Sequence, residues 1–159
     1  MPTLTHIQIL EQSRIRFGYR IAVLTNWYKL HPYRMFEKEY HLSESEGATL
    51  YCIGQVAGLN ATDVCEITGR PKNSISRAMG QLLEKKLITR RIDVRDKRRK
   101  IVDLTPKGFA IFKRAEEWFV ATESAMLSSL DKEEIQHLDA MLSKMMNNLP
   151  NWVDEYRSS

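Results

Sequence analysis

Residues 72–108 read KNSISRAMGQLLEKKLITRRIDVRDKRRKIVDLTPKG. Inside this stretch, Lys85 to Lys100 holds nine Lys or Arg and two Asp, a local charge of +7 in a chain whose net charge is +4. The other residues therefore sum to −3, and so concentrated a positive block points at a polyanion. Ile88, Ile92 and Val94 interrupt the block. A solvated basic tail lacks such β-branched residues, whereas a β-hairpin needs them. Leu87–Ile92 and Lys100–Leu104 read as the two strands, joined by the loop Asp93–Arg99 with Arg95, Lys97, Arg98 and Arg99.

Working backwards, Lys72 to about Lys86 reads as a helix buried through Ile75, Ala78 or Met79, Leu82 and Leu83. Asn73, Arg77 and Gln81 fall at i, i+4 and i+8 and share the opposite face. An ordinary solvated face would look the same; its place directly before the cationic hairpin decides for a functional one. Upstream, Thr62-Asp63 opens a short helix with Val64, Cys65 and Ile67 on its apolar side, and Gly69-Arg70-Pro71 breaks the chain. Two short helices joined by a Gly-containing turn match a helix-turn-helix. Before them, Ser43 with Glu46 is a capping-box pattern, and Leu50, Ile53, Val56 and Ala57 face inward until Gly58-Leu59-Asn60 ends the helix. After the hairpin, Thr105 is an N-cap and Pro106 takes the first helical position. A helix-turn-helix followed by a two-stranded wing is a winged helix.

Long helices flank this unit. His6 to Phe36 carries Ile7, Leu10, Phe17, Ile21, Leu24 and Tyr28 at 3/4 spacing, with Val23 and Trp27 as a second edge and Pro32 limiting how straight its end can be. Phe112, Phe119 and Met126 recur every seven residues, with Ala115 and Thr122 between them. Asp131 and Glu134 cap a last helix bearing Ile135, Leu138, Leu142, Met145 and Leu149, which Pro150 stops. These stripes are too extensive for one small core, so dimerisation is expected over packing of the first helix on the last two. The chain thus reads as mainly α with a small β-hairpin wing. Residues 1–40 form an N-terminal dimerisation helix, 41–105 the winged helix-turn-helix, and 106–159 C-terminal dimerisation helices, together one domain.

Composition excludes several classes. At 159 residues and 43% hydrophobic content the chain can bury a core. No apolar run approaches the roughly 20 residues of a membrane span, and the N-terminus lacks a signal-peptide pattern, so cytoplasm is expected. Cys52 and Cys65 sit in helical segments without a CxxC, and read as small apolar residues more than as redox thiols. Histidines 6, 31, 41 and 137 are scattered, so no metal site is expected. No phosphate loop or catalytic constellation is present, so no catalytic residue and no enzyme activity are expected.

The run Ser74-Ile75-Ser76-Arg77, then Leu82 to Ile88, Arg90-Arg91, Asp96-Lys97-Arg98 and finally Val102-Asp103-Leu104-Thr105-Pro106-Lys107-Gly108 resembles the MarR family of bacterial and archaeal transcription regulators. An Asp-x-Arg followed, one strand later, by Leu-Thr-x-x-Gly is that family's wing signature, and both halves stand here in order. The resemblance implies a triangular homodimer with interlocked terminal helices, presenting two winged helices to a palindromic site. It implies a repressor, released from DNA by a small phenolic or aromatic carboxylate effector. It also makes Arg98 the Asp-x-Arg arginine, oriented by Asp96. The family's thiol-sensing branch carries its cysteine in the first helix, where this chain has none.

Residue chemistry supplies the contacts. In the major groove, Asn73 suits adenine and Arg77 suits guanine. Lys72, Ser74, Ser76 and Gln81 hold phosphates or flank the bases. At the wing, Arg95, Asp96, Lys97, Arg98 and Arg99 form the second contact, with an Arg suited to a narrow minor groove and Arg99 and Lys100 suited to general phosphate attraction. Trp27, Tyr28, His31, Tyr33 and Arg34 cluster at the end of the first helix and form a candidate effector pocket, aromatic walls with a cation for a carboxylate; core and interface packing would also explain them. No resident cofactor is expected. The expected partners are double-stranded DNA, a second copy and a small effector. The rival reading is a winged helix used only for protein contacts; RNA is disfavoured because no aromatic stacking platform accompanies the basic residues.

Overall fold

The computed structural model describes residue 12, residues 14–94 and residues 97–157, without the side chains of 154–157. The described elements run α1 (Arg16–Tyr40), α2 (Glu44–Gln55), α3 (Ala61–Thr68), α4 (Lys72–Glu84), β1 (Ile88–Ile92), β2 (Lys100–Leu104), α5 (Pro106–Met126), α6 (Lys132–Asn147) and α7 (Leu149–Arg157). They group into two compact units, one up to Thr122 and one from Glu123 onward.

In the first unit, α1 runs on to Tyr40, past the expected end at Phe36, with Pro32 buried inside it. The part of the expected helix from His6 to Glu11 lies outside the described residues. His41 ends α1 in the left-handed conformation (φ 52°). Its N–H bonds the Glu37 carbonyl at 3.0 Å and that of Leu42 bonds Phe36 at 3.2 Å, which satisfies two terminal acceptors. Ser43 and Glu46 form the expected capping box on α2. This helix stops at Gln55, so Val56 and Ala57, expected inside, leave the helical stripe and are exposed. The start of α3 is set by Asn60, whose Oδ1 accepts from the N–H groups of Thr62 and Asp63 at 2.7 and 3.0 Å. Val64 is buried there, Cys65 is half-buried, and Ile67 is exposed, against expectation, because a helix this short has only one inward line.

The hairpin is antiparallel, with Ile88 opposite Leu104 and Ile92 opposite Lys100. Leu87 is buried just before β1. The Val102 N–H also bonds the Leu59 carbonyl at 2.8 Å, which fastens the wing to the α2–α3 turn. Thr105 Oγ1 accepts from the Gly108 N–H at 3.0 Å and donates toward the carbonyls of Lys86 and Leu87. A Cβ on Gly108 would collide with the Leu87 carbonyl oxygen. The Leu-Thr-x-x-Gly motif is therefore the clasp between α5 and the start of β1. Phe36, Leu42, Leu50, Val64, Ile75 and Leu82 are fully buried at the centre of the core. Trp118 of α5 meets Phe36 edge to face at 5.5 Å.

In the second unit, Asp131 and Glu134 cap α6 as expected. Pro150 does not stop the chain: α6 ends at Asn147, and Pro150 sits in the first turn of α7, where a missing N–H costs nothing. No residue of α6 is buried, and Leu142 and Met145 are exposed. In the first unit, Phe17, Ile21, Leu24 and Trp27 of α1 are also exposed. No helix among the described residues is long and apolar enough to cross a membrane.

Candidate nucleic-acid interface and the cavity behind it

The helix α4 differs from its neighbours at its N-terminus. Helices α2 and α3 each carry a capping box with an acidic residue in the first turn. By contrast, α4 has Pro71 at its N-cap, no side-chain cap and no acid in its first turn. The positive end of its dipole therefore faces outward unneutralised, beside Lys72, where an anion is favoured. Ile75, Ala78, Met79 and Leu82 bury one side of the helix. Lys72, Asn73, Ser76, Arg77 and Gln81 are exposed on the other, as the spacing predicts.

Ser74 is half-buried, and its hydroxyl lies 3.1 Å from that of Ser45 on α2. Together with Ser43, these two serines, Asn73, Arg77 and Gln81 line an open polar groove along the helix. Ser43 and Ser45 were not among the sequence candidates; their position on a preceding helix gives no periodic signal with α4.

The cationic segment divides. Lys85 ends α4 and donates to the Glu46 carboxylate, which is only 3% exposed, and to the His41 carbonyl at 2.8 Å. Arg91 donates to Asp103 across the hairpin at 2.6 Å. Arg99 pairs with Asp63 of α3. These three charges are therefore paired within the chain, Arg91 and Arg99 at its surface, and Arg99 ties the base of the wing to α3 instead of pointing from its tip. Lys86, Arg90, Lys97, Arg98 and Lys100 are exposed. Arg95 and Asp96, and with Asp96 the proposed orientation of Arg98, lie outside the described residues.

Burial alone would raise the Glu46 pKa, but the hydrogen bonds from Lys85 and from the Ser43 backbone outweigh it, so the carboxyl sits below its ordinary range. The Glu46 carboxylate thus does two jobs. Its Oε2 accepts from the Ser43 N–H at 2.8 Å, fixing the start of α2, while its Oε1 holds the end of α4.

Behind α4, a cavity of about 420 Å³ opens between α1, α2, the α3–α4 turn and α5. Tyr28, Tyr33, Tyr51 and Phe119 are its aromatic walls, and Lys29 and Arg70 supply its positive charge. Of the five expected pocket residues, only Tyr28 and Tyr33 line it. Arg34 lines a smaller adjoining groove of about 210 Å³, and Trp27 and His31 line neither. Neither Lys29 nor Arg70 was among the expected pocket residues. Burial raises the Tyr33 phenol, an effect Arg70 partly opposes. Arg70 also holds the Glu44 carboxyl below its ordinary range by a 2.8 Å hydrogen bond. Cys52 also lines the cavity, and burial pushes its thiol up, away from reactive thiolate character.

Comparison with known proteins agrees with this arrangement. Residues 42–99 match the MarR family. A 93-residue stretch is 31% identical to the HTH-type transcriptional regulator BilQ of Clostridium symbiosum, covering 58% of this chain and 65% of that regulator. Among solved structures, the MepR–DNA complex of Staphylococcus aureus superposes with a TM-score of 0.69 at 27% identity, over 84% of this chain and 96% of MepR. A MarR-family regulator from Listeria monocytogenes, solved with a 26mer DNA, superposes with a TM-score of 0.80 over 90% of this chain and 95% of its own. At 20% identity, that second likeness speaks for the fold.

Proposed function

We propose that the chain is a transcription regulator of the MarR family, which its residues 42–99 match, and that it binds double-stranded DNA sequence-specifically as a homodimeric repressor. The observation that carries the reading is α4: an N-terminus without cap or acid, followed by an exposed Asn73–Arg77–Gln81 face and flanked by a charged wing. Asn73 and Arg77 read base edges, because each offers the paired donors or acceptors that one base presents in the major groove. Lys72, Ser76 and Gln81 hold the flanking backbone, and Lys97 and Arg98 meet phosphate or the minor groove at the wing.

Dimerisation is supported by the exposed apolar residues of α1 and α6, which an isolated chain leaves in water. A two-fold dimer presents its two recognition helices to a palindromic operator. Release is by a small aromatic carboxylate or phenol in the cavity of Tyr28, Tyr33 and Arg70. The DNA-bound state of MepR supports the same use of this fold. The place of action is the cytoplasm, with the genome.

The test is a binding titration on an operator duplex selected from a random-sequence pool, against a scrambled duplex. Arg77→Ala should weaken operator binding by about 1–3 kcal/mol and leave the scrambled duplex nearly unaffected. Equal losses on both duplexes would remove Arg77 from base reading. Failure to enrich any operator would leave a winged helix made for protein contacts.

A further inference from the structure

Arg70 belongs to two places at once. Its guanidinium lines the aromatic cavity, yet its Nη2 donates to Glu44 at 2.8 Å and its Nη1 to the Ser45 hydroxyl at 3.4 Å. The Ser45 hydroxyl in turn lies 3.1 Å from that of Ser74, in the first turn of α4. Ser45 and Ser74 line the polar groove that also holds Asn73 and Arg77. One side chain therefore joins the cavity wall to the base-reading helix through a single intervening hydroxyl.

We infer that Arg70 is a switch residue: an anion entering the cavity draws its guanidinium from Glu44 and Ser45, frees the Ser45–Ser74 contact, and so weakens DNA binding. This rests on the effector reading given above and adds how the cavity acts on α4. Three observations make the exchange feasible. The side chain of Arg70 is 25% exposed, so it is reachable from the cavity without unfolding its surroundings. Its strongest partner, Glu44, is itself 47% exposed and keeps Lys29 as a second cation at 3.5 Å, so Glu44 is not stranded when Arg70 leaves. A planar guanidinium takes a carboxylate through two parallel N–H donors, which a bound aromatic acid satisfies as well as Glu44 does. The aromatic walls supply the apolar contact that selects an aryl acid over a small inorganic anion.

Ser45 transmits the change because its hydroxyl accepts from Arg70 while it meets Ser74. When the guanidinium turns away, Ser45 is left to rotate, and Ser74 loses a fixed partner at the point where α4 enters the groove. By linkage, DNA must lower the affinity for the anion by the same factor that the anion lowers the affinity for DNA.

Benzoate, with benzamide as its uncharged match, is the probe. Its binding is followed by tryptophan fluorescence and calorimetry on the full chain. The affinity for a selected operator is then measured with and without saturating benzoate, and only the ratio of the two is read for each variant. Wild type should show at least a fivefold ratio, and benzamide none. Ser45→Ala and Ser74→Ala should bind benzoate at least as well as wild type does, since neither serine lines the cavity, but with a ratio below twofold. Ser45→Thr, which keeps the hydroxyl, should restore it. Arg70→Met should lose benzoate binding.

A full ratio in both serine variants would overturn the switch and leave the effector site standing. Wild-type benzoate affinity in Arg70→Met would likewise overturn it. No benzoate binding by wild type would overturn the aromatic-acid reading and the switch together.

Discussion

Replacing Lys85 by methionine keeps the volume of the side chain's stem and removes one charge from the contact that holds the end of α4 against the start of α2. Glu46 is 3% exposed and in the native protein shares its two oxygens between Lys85 and the Ser43 N–H. Removing one partner of a buried pair costs about 3–5 kcal/mol when the remaining charge stays buried. Lys85 is 37% exposed, so water reaches one side of the pair and lowers that figure to about 2 kcal/mol. A ceiling follows independently. Glu46 can escape by taking a proton, and holding a carboxyl of ordinary pKa 4.5 neutral at pH 7 costs roughly 3.5 kcal/mol, at about 1.4 kcal/mol for each of about 2.5 pH units.

The pH dependence is more diagnostic than the size. In the native chain the Glu46 pKa is depressed, so the folded state binds the proton less readily than the unfolded state. Its stabilisation is present at neutral pH and is lost as pH falls through the depressed value. In Lys85→Met the carboxyl keeps its burial and loses its main counter-charge, so its folded pKa rises above the unfolded one and stability now grows as pH falls. The gap between the two proteins should therefore shrink from about 2 kcal/mol at pH 7.5 as pH falls, closing only below the depressed native value. Urea unfolding at one protomer concentration measures it, with Glu46→Gln as the control that removes the titrating group. A loss at pH 7.5 that stays constant down to pH 4, or one below about 0.5 kcal/mol, would refute the argument.

Three further outcomes follow from the same contacts. Gly108→Ala should destabilise by about 3 kcal/mol or prevent folding, because the new Cβ meets a backbone carbonyl that cannot move without opening the wing; thermal unfolding reads this. Gly80→Ala is its counterpart within α4, where nothing lies within 4 Å of the added carbon, and should stabilise by about 0.5–1 kcal/mol in the same assay. In DNA titrations across a salt series, Lys97→Gln should reduce the slope of log affinity against log salt by about 0.9 per protomer, about 1.8 for the dimer, whereas Arg99→Gln should leave it unchanged, because Arg99 is held by Asp63.

What could be read from the sequence was whatever is encoded within a few residues. Ser43 and Glu46, Asp131 and Glu134, and Thr105 with Pro106 declare helix starts because capping is a local hydrogen-bond pattern, and each appears in the fold as expected. The strands were legible to within one residue because β-branched residues interrupt the charged block there. The inward placement of Val56 failed because α2 ends at Gln55, and that of Ile67 because so short a helix has only one inward line. Pro150 was misread because proline stops one helix and starts another by the same missing N–H. That Arg70 lines the larger cavity was not foreseen for a different reason. Periodicity places Arg34 near Tyr33 along one helix, but which arginine faces the aromatic walls depends on the α3–α4 turn meeting α1, and no pattern in either segment reports that contact.

The same limit shows in the cationic block. Lys85, Arg91 and Arg99 find Glu46, Asp103 and Asp63, two of them on helices far upstream. The block's charge therefore divides by partner, not by position. Each pair fixes a different joint: α4 to α2, β1 to β2, and the wing base to α3. The cations exposed on the wing and at the start of α4 can then approach DNA on a frame whose own charges are already neutralised. That arrangement predicts a division of labour along a single basic segment. Charge removal at Lys85, whose partner is buried, should cost stability, while removal at Lys97 should change salt-dependent affinity and leave unfolding alone. A basic tail of equal charge could not separate the two effects, since none of its residues would be needed to hold a fold.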